Sequence, residues 1–137
     1  MSTTPGRAFF DQHMDFIYKN DIDGLIDKQY TQDAVLISPF DVLSTPPPHL
    51  IRGNQALKDF FRTYIAWQGS INVESISNFV ETESSIFFEA IFTSKTGRWA
   101  VGDAWHMTDG KIDTHYSFAY RVGDAPSVSV PSIAKAT

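Results

Sequence analysis

Asp103 lies in a run, Arg98 to Thr108, whose side chains alternate with period two. Read as a strand, one face carries Trp99, Val101, Asp103, Trp105 and Met107. A single carboxylate in a row of large apolar side chains is costly to ionise, so its pKa is expected to rise. Such a group serves as a general acid, a general base, or a neutral carboxyl that donates a hydrogen bond. His13 is the second candidate, in a stretch where Phe9, Phe10, Met14, Phe16 and Ile17 recur at helical spacing. Paired with Asp103, it would offset the desolvation of both groups and tune each pKa toward neutrality.

The turns decide what surrounds Asp103. Asp109-Gly110 is a two-residue hairpin signal. Closing it sets Trp105 opposite Thr114 and Asp103 opposite Tyr116. Thr96-Gly97 closes the preceding hairpin, with Ser94 opposite Trp99, Phe92 opposite Val101 and Ala90 opposite Asp103. Cross-strand partners share a face, so Phe88, Trp99, Trp105, Tyr116 and Phe118 are expected to form an aromatic wall around the acid. Tyr116 would orient a ligand by a hydrogen bond. A slip of one residue turns a strand inside out. Plainer roles exist for each residue: a satisfied buried Asp, a core-edge histidine, and aromatics that fill a core.

The opposite face reads Ala100, Gly102, Ala104 and His106, flanked by Phe87, Glu89 and Ile91 on one strand and Asp113, His115 and Ser117 on the other. Small residues in the central strand suit sheet-to-sheet association, so a homodimer through this outer face is expected, with His106 and Asp113 as an interfacial pair.

Several elements must position these residues. Thr4-Pro5 marks a helix start. Asn20 or Asp21 caps a second helix through Gln29-Tyr30, and Asn54 a third, whose buried side holds Leu57, Phe60, Phe61, Tyr64 and Ile65. Ala34 to Ser38 is a short strand stopped by Pro39, and Phe40 to Leu50, with three prolines, is a loop. Ile71–Val80, Ser85–Lys95, Arg98–Thr108 and Lys111–Tyr120 form a meander. The order predicts an α+β domain, about three N-terminal helices on one face of a curved, mainly antiparallel sheet, with a cone-like cavity between them. One domain is expected over 1–122, and an extended or disordered tail over 123–137.

Composition narrows the function. The chain has 137 residues and 14% aromatics, with 11 Phe, enough to line a pocket as well as fill a core. It has no cysteine, which excludes disulfides and thiolate chemistry. A net charge of -5 without a basic cluster argues against nucleic acid. No apolar run approaches the roughly 18 residues of a membrane span, and Met1 to Gly6 does not read as a signal peptide. A cytoplasmic location is the expectation. His13, His49, His106 and His115 make no convincing metal site.

Two stretches carry a family resemblance. Tyr30-Thr31-Gln32-Asp33-Ala34-Val35, continuing to Ile51-Arg52-Gly53-Asn54-Gln55-Ala56-Leu57, is one. Asp103-Ala104-Trp105-His106-Met107-Thr108-Asp109-Gly110-Lys111-Ile112 is the other. With the order of elements, they resemble the NTF2-like superfamily (a cystatin-like cone fold), in its SnoaL-like and ketosteroid-isomerase-like branches. The resemblance implies that Asp103 stands where the isomerases keep a protonated carboxyl. It places Ser38 where they keep a general-base Asp, a role serine cannot fill, and His13 near their first-helix donor. Asp41, in the loop, is a substitute for that base.

These readings converge on a small cofactor-independent enzyme of SnoaL-like type. It would bind a compact, largely apolar carbonyl- or hydroxyl-bearing molecule and perform isomerisation, cyclisation or dehydration. Asp103 and His13 would be catalytic. Tyr116, Trp105, Ser38, Phe88, Trp99, Tyr64, Phe60 and Phe118 would line the site. The rival is a non-catalytic binding or assembly domain whose own aromatics fill the cone.

Overall fold

The computed structural model describes residues 3–122, so the expected tail from Gly123 lies outside the described residues. Thr4 caps the first helix, α1 (Pro5–Tyr18), its hydroxyl accepting from Arg7 N at 3.3 Å. Asp21 caps α2 (Ile22–Gln29), accepting from Gly24 N at 3.0 Å. The chain continues through β1 (Tyr30–Ser38), β2 (His49–Arg52), α3 (Asn54–Gln68), β3 (Asn72–Glu81), β4 (Ser85–Ser94), β5 (Gly97–Thr108) and β6 (Lys111–Arg121). The expected loop thus ends in a short edge strand, β2, paired antiparallel with the end of β1. Asn54 does not cap α3. It is the helix's first residue, and its amide donates to Asp27 Oδ1 at 3.3 Å.

The six strands lie in the order β2-β1-β6-β5-β4-β3, antiparallel except where β1 runs parallel to β6. Register shifts in β1, β3 and β6 mark bulges, which bend a strand and tighten its twist. The sheet curves, and the helices pack into it. Phe10 and Phe16 of α1, Leu25 and Ile26 of α2, and Leu57 and Phe61 of α3 meet Leu36, Phe88, Trp105 and Ile112 in one core. This is the expected α+β cone.

The two hairpins depart from expectation in different ways. Lys95-Thr96, not Thr96-Gly97, forms the β4–β5 turn, with Ser94 opposite Gly97. The register moves by two residues, so the faces are kept: Trp99 faces Phe92, and Asp103 faces Phe88. Asp109-Gly110 closes the β5–β6 turn as expected, with φ of 51° and 78°. Beyond Met107 and Ile112, however, His106 pairs with Thr114, leaving Asp113 as an extra residue in β6. Its carboxylate accepts from His106 Nδ1 at 2.7 Å, from Thr114 Oγ1 at 2.8 Å, and from Thr108 Oγ1. Burial pushes the Asp113 carboxyl up, but these hydrogen bonds together hold it below the usual range.

That single bulge inverts the rest of β6. Asp103 is opposite Ser117, and Trp105 is opposite His115. Tyr116, Phe118 and Tyr120 point outward, 43%, 68% and 67% exposed, whereas His115 is 5% exposed. Tyr116 and Phe118 are therefore not beside Asp103, and His115 and Ser117 leave the outer face for the cavity. The His106–Asp113 pair does form on the outer face.

Candidate active site

A cavity of about 100 Å³ lies between α1, α3 and the concave side of the sheet. Asp103, His13, Ser38, Phe60, Tyr64 and Phe88 line it, joined by His115, Ser117 and Phe40. Trp105 and Trp99 do not reach it. Trp105 packs behind its wall, with ring centroids 4.5 Å from a tilted His13 and 5.3 Å from an edge-on Phe88. Trp99 packs against Phe40 at 5.1 Å and donates to Thr96 Oγ1 at 2.9 Å. Phe40, on the loop after β1, reaches into the cavity from that loop. Asp41 beside it is exposed and outside the cavity.

Asp103 is not the lone carboxylate its strand suggested. His115 Nε2 lies 3.3 Å from its Oδ2. On the far side of the ring, His115 Nδ1 is 2.9 Å from the Tyr30 hydroxyl. Tyr30 is fully buried, and burial, then the Asp103 charge, raises its phenol well above the usual value. This is the only hydrogen bond of that hydroxyl among the described residues. If the imidazole donated here, the buried O–H would have no acceptor, so Tyr30 donates to Nδ1. In its neutral form the ring then carries its proton on Nε2, toward Asp103. The contact is an ion-pair distance without hydrogen-bond geometry, and both His115 Nε2 and Asp103 Oδ1 are buried with no hydrogen-bond partner in the protein.

His13 answers to Gln29 and not to Asp103. Gln29, wholly buried at the end of α2, donates through Nε2 to Phe9 O and to Gln12 Oε1, each at 3.0 Å. Its Oε1 must accept, so the His13 Nδ1 at 2.9 Å is the donor. The other nitrogen, Nε2, is left as an acceptor on a cavity-lining ring. Burial, then the nearby His115, lowers the His13 pKa to about 3, with the Gln29 bond pulling the other way. His13 is neutral at physiological pH.

The remaining polar groups are donors or already engaged. Ser38 Oγ accepts from Phe40 N at 3.3 Å, leaving its hydrogen free to donate. Tyr64 accepts from Gln68 Nε2 at 3.3 Å, and burial raises its phenol. His49, opposite Ser38 on β2, is buried with Nε2 unpartnered, but lies outside the cavity. Among the described residues no cluster of His, Asp or Glu could hold a metal ion. Among the described residues no helix is long and apolar enough to cross a membrane. The site therefore combines an acceptor oxygen, an N–H donor and a second acceptor nitrogen in apolar surroundings, the equipment for proton transfer.

His115 and Tyr30 were the residues sequence reasoning missed as site members. The available signal was polar residues, Gln29 and Tyr30, ending an amphipathic helix.

No protein-family model matches the chain, and no curated protein matches it. Solved structures do. An NTF-2 like protein of unknown function from Burkholderia xenovorans LB400 superposes with a TM-score of 0.68 at 15% identity, covering 89% of this chain and 88% of that one. A "putative ketosteroid isomerase" from Kribbella flavida DSM 17836 gives 0.68 at 14% identity, covering 90% and 84%. A "putative polyketide cyclase" from Sinorhizobium meliloti gives 0.65 at 14%, covering 81% and 94%. At such identities the likeness speaks for architecture alone, and that architecture, three helices cupped in a bent six-stranded sheet, is the NTF2-like fold.

Proposed function

We propose that this protein is a small acid/base enzyme that moves a proton on a compact, largely apolar molecule bearing a carbonyl or hydroxyl group, with no cofactor. The observation that carries this reading is the pair of orphaned polar atoms, Asp103 Oδ1 and His115 Nε2, buried at an apolar cavity. Leaving such groups unpaired costs free energy unless a ligand completes them. The names borne by two structural neighbours, an isomerase and a cyclase, point the same way.

The chemistry balances without an external reagent. Asp103 takes a proton from carbon, and the electron pair moves toward the substrate oxygen, which accepts a hydrogen bond from His115 Nε2–H. Returning the proton to another carbon completes an isomerisation. In a dehydration, the proton that Asp103 has taken from carbon is delivered to the departing hydroxyl, which leaves as water and resets the carboxylate, while His115 Nε2–H, 3.3 Å from Asp103, holds the leaving oxygen by a hydrogen bond.

The test is ligand-observed binding of single-ring ketones, phenols and alcohols to wild type and Asp103→Asn, followed by turnover assays on the binding chemotype. Binding and turnover by wild type, with turnover lost in Asp103→Asn, is the expected result. A folded wild type that binds nothing would sink the reading and leave a non-catalytic domain.

The outer sheet face supports a second element of the proposal. Tyr116, Phe118 and Tyr120 expose three aromatic rings on one strand, beside the small residues Ala100 and Gly102. We propose that a second copy of the chain covers this face.

A further inference from the structure

We infer that the cavity selects a neutral, single-ring hydroxyl compound, such as a phenol or cyclic alcohol, over the matching ketone, because the two unpaired polar atoms buried at its wall, Asp103 Oδ1 and His115 Nε2, are one acceptor and one donor that a single hydroxyl completes. This rests on the reading of the cavity as a ligand site and narrows its substrate class.

The hydrogens around the unpaired pair can be assigned. The Tyr30 hydroxyl donates to His115 Nδ1, so His115 presents one N–H at Nε2. That N–H faces Asp103 Oδ2, 3.3 Å away, and leaves Oδ1 as a buried acceptor. His13 spends its own N–H on Gln29 Oε1 and turns a bare Nε2 to the cavity-lining side. One ligand hydroxyl satisfies the pair at once: its hydrogen goes to Asp103 Oδ1, and its oxygen accepts from His115 Nε2–H. A ketone can accept from His115 but offers nothing to Oδ1. Its binding leaves that acceptor buried and dry.

Size sets the second limit. An apolar cavity of roughly 150 Å³ holds benzene. The cavity here, about 100 Å³, is smaller than that but open on one side, so a single ring fills it and projects through the opening, and a fused-ring skeleton does not enter.

The experiment measures dissociation constants for matched pairs, cyclohexanol with cyclohexanone and phenol with benzaldehyde, on wild type and on Asp103→Asn. Wild type should prefer each hydroxyl partner by roughly 10-fold to 100-fold, the range expected when a buried acceptor loses its donor. In Asp103→Asn the side-chain carbonyl takes the His115 N–H, turning the amide hydrogens toward the ligand. The preference should then shrink to parity or reverse. Equal affinities in wild type, or a preference for ketones, would overturn the inference while leaving the ligand site standing. A hydroxyl preference that survives unchanged in Asp103→Asn would overturn it too, because Oδ1 would not be the acceptor. Failure of every compound to bind would remove the site itself, and the inference with it.

Discussion

Nδ1 of His13 lies 2.9 Å from Oε1 of Gln29, and this contact fixes the tautomer of the histidine while burial fixes its charge. Its pKa falls from 6.5 to about 3, through burial first and then through His115. The unfolded chain takes up this proton below about pH 6.5, whereas the folded chain does so only near 3. The stabilisation is complete above 6.5 and is lost as the pH falls from there toward 3, by about 1.4 kcal/mol per pH unit. His13→Asn keeps a donor for Gln29 and removes the titration. Urea midpoints between pH 6.5 and 4.5 should fall less steeply for this variant than for wild type. Parallel slopes would mean that His13 is protonated in the native state.

Asp113 tests the bulge in a similar way. Asp113→Ala removes the acceptor shared by His106, Thr108 and Thr114 and should lower stability by about 1–2 kcal/mol at pH 7. Its folded pKa is depressed, so its contribution is present above the unfolded value of 3.8 and fades as the pH drops below it. Thermal melts at pH 7 and pH 3 check this. The difference between wild type and variant should narrow at the lower pH, and a constant difference would mean that the carboxylate's charge does not matter.

The limits of sequence reading are visible in this strand. Helix caps at Thr4 and Asp21, the Asp109-Gly110 turn and the inward set of β5 were legible because each is a local pattern with a local cause. The bulge was not. Its cause is a carboxylate bound by side chains from two strands, and an extra residue leaves no mark in a period-two pattern. The aromatic alternation of Tyr116, Phe118 and Tyr120 also misled, since apolar character alone does not tell a cavity wall from an exposed face. The wrong face was assigned to β6, and with it His115 was missed. The apolar run marks β1 only from Ala34 and leaves Tyr30 at a helix end, away from the site, whereas the strand begins at Tyr30.

Register is directly testable with neighbouring residues of β6. Ser117 lines the cavity and Tyr116 does not. Ser117→Leu adds a branched side chain to a space of about 100 Å³ and should abolish binding of single-ring ligands while the protein stays folded. Tyr116→Ser should leave that binding within twofold of wild type. The reverse outcome, binding lost with Tyr116→Ser alone, would restore the unbulged register.

The outer face gives a separate prediction. Replacing Phe118 and Tyr120 together by Glu sets two charges where apolar rings are exposed. Wild type should sediment as a dimer and the double variant as a monomer, with ligand affinity unchanged because neither residue touches the cavity. A wild type that is monomeric at micromolar concentration would leave this face without a partner copy.

The two cavity histidines should exist in opposite tautomers at neutral pH. His13 carries its hydrogen on Nδ1 because Gln29 can only accept there, and His115 carries its own on Nε2 because Tyr30 donates to Nδ1. Long-range nitrogen–proton correlation spectra distinguish the two forms directly. Tyr30→Phe removes the donor and leaves a buried nitrogen unpaired, at a cost of about 1–3 kcal/mol. The His115 Nδ1 resonance should shift toward that of an acceptor without a hydrogen bond, while His13 stays unchanged. If wild-type His115 proves to be protonated on Nδ1, the Tyr30 hydroxyl is the acceptor, Nε2 faces Asp103 bare, and the carboxyl must supply the hydrogen between them. Asp103 would then be the acid of the pair, and the direction of every proton transfer drawn through this site would reverse.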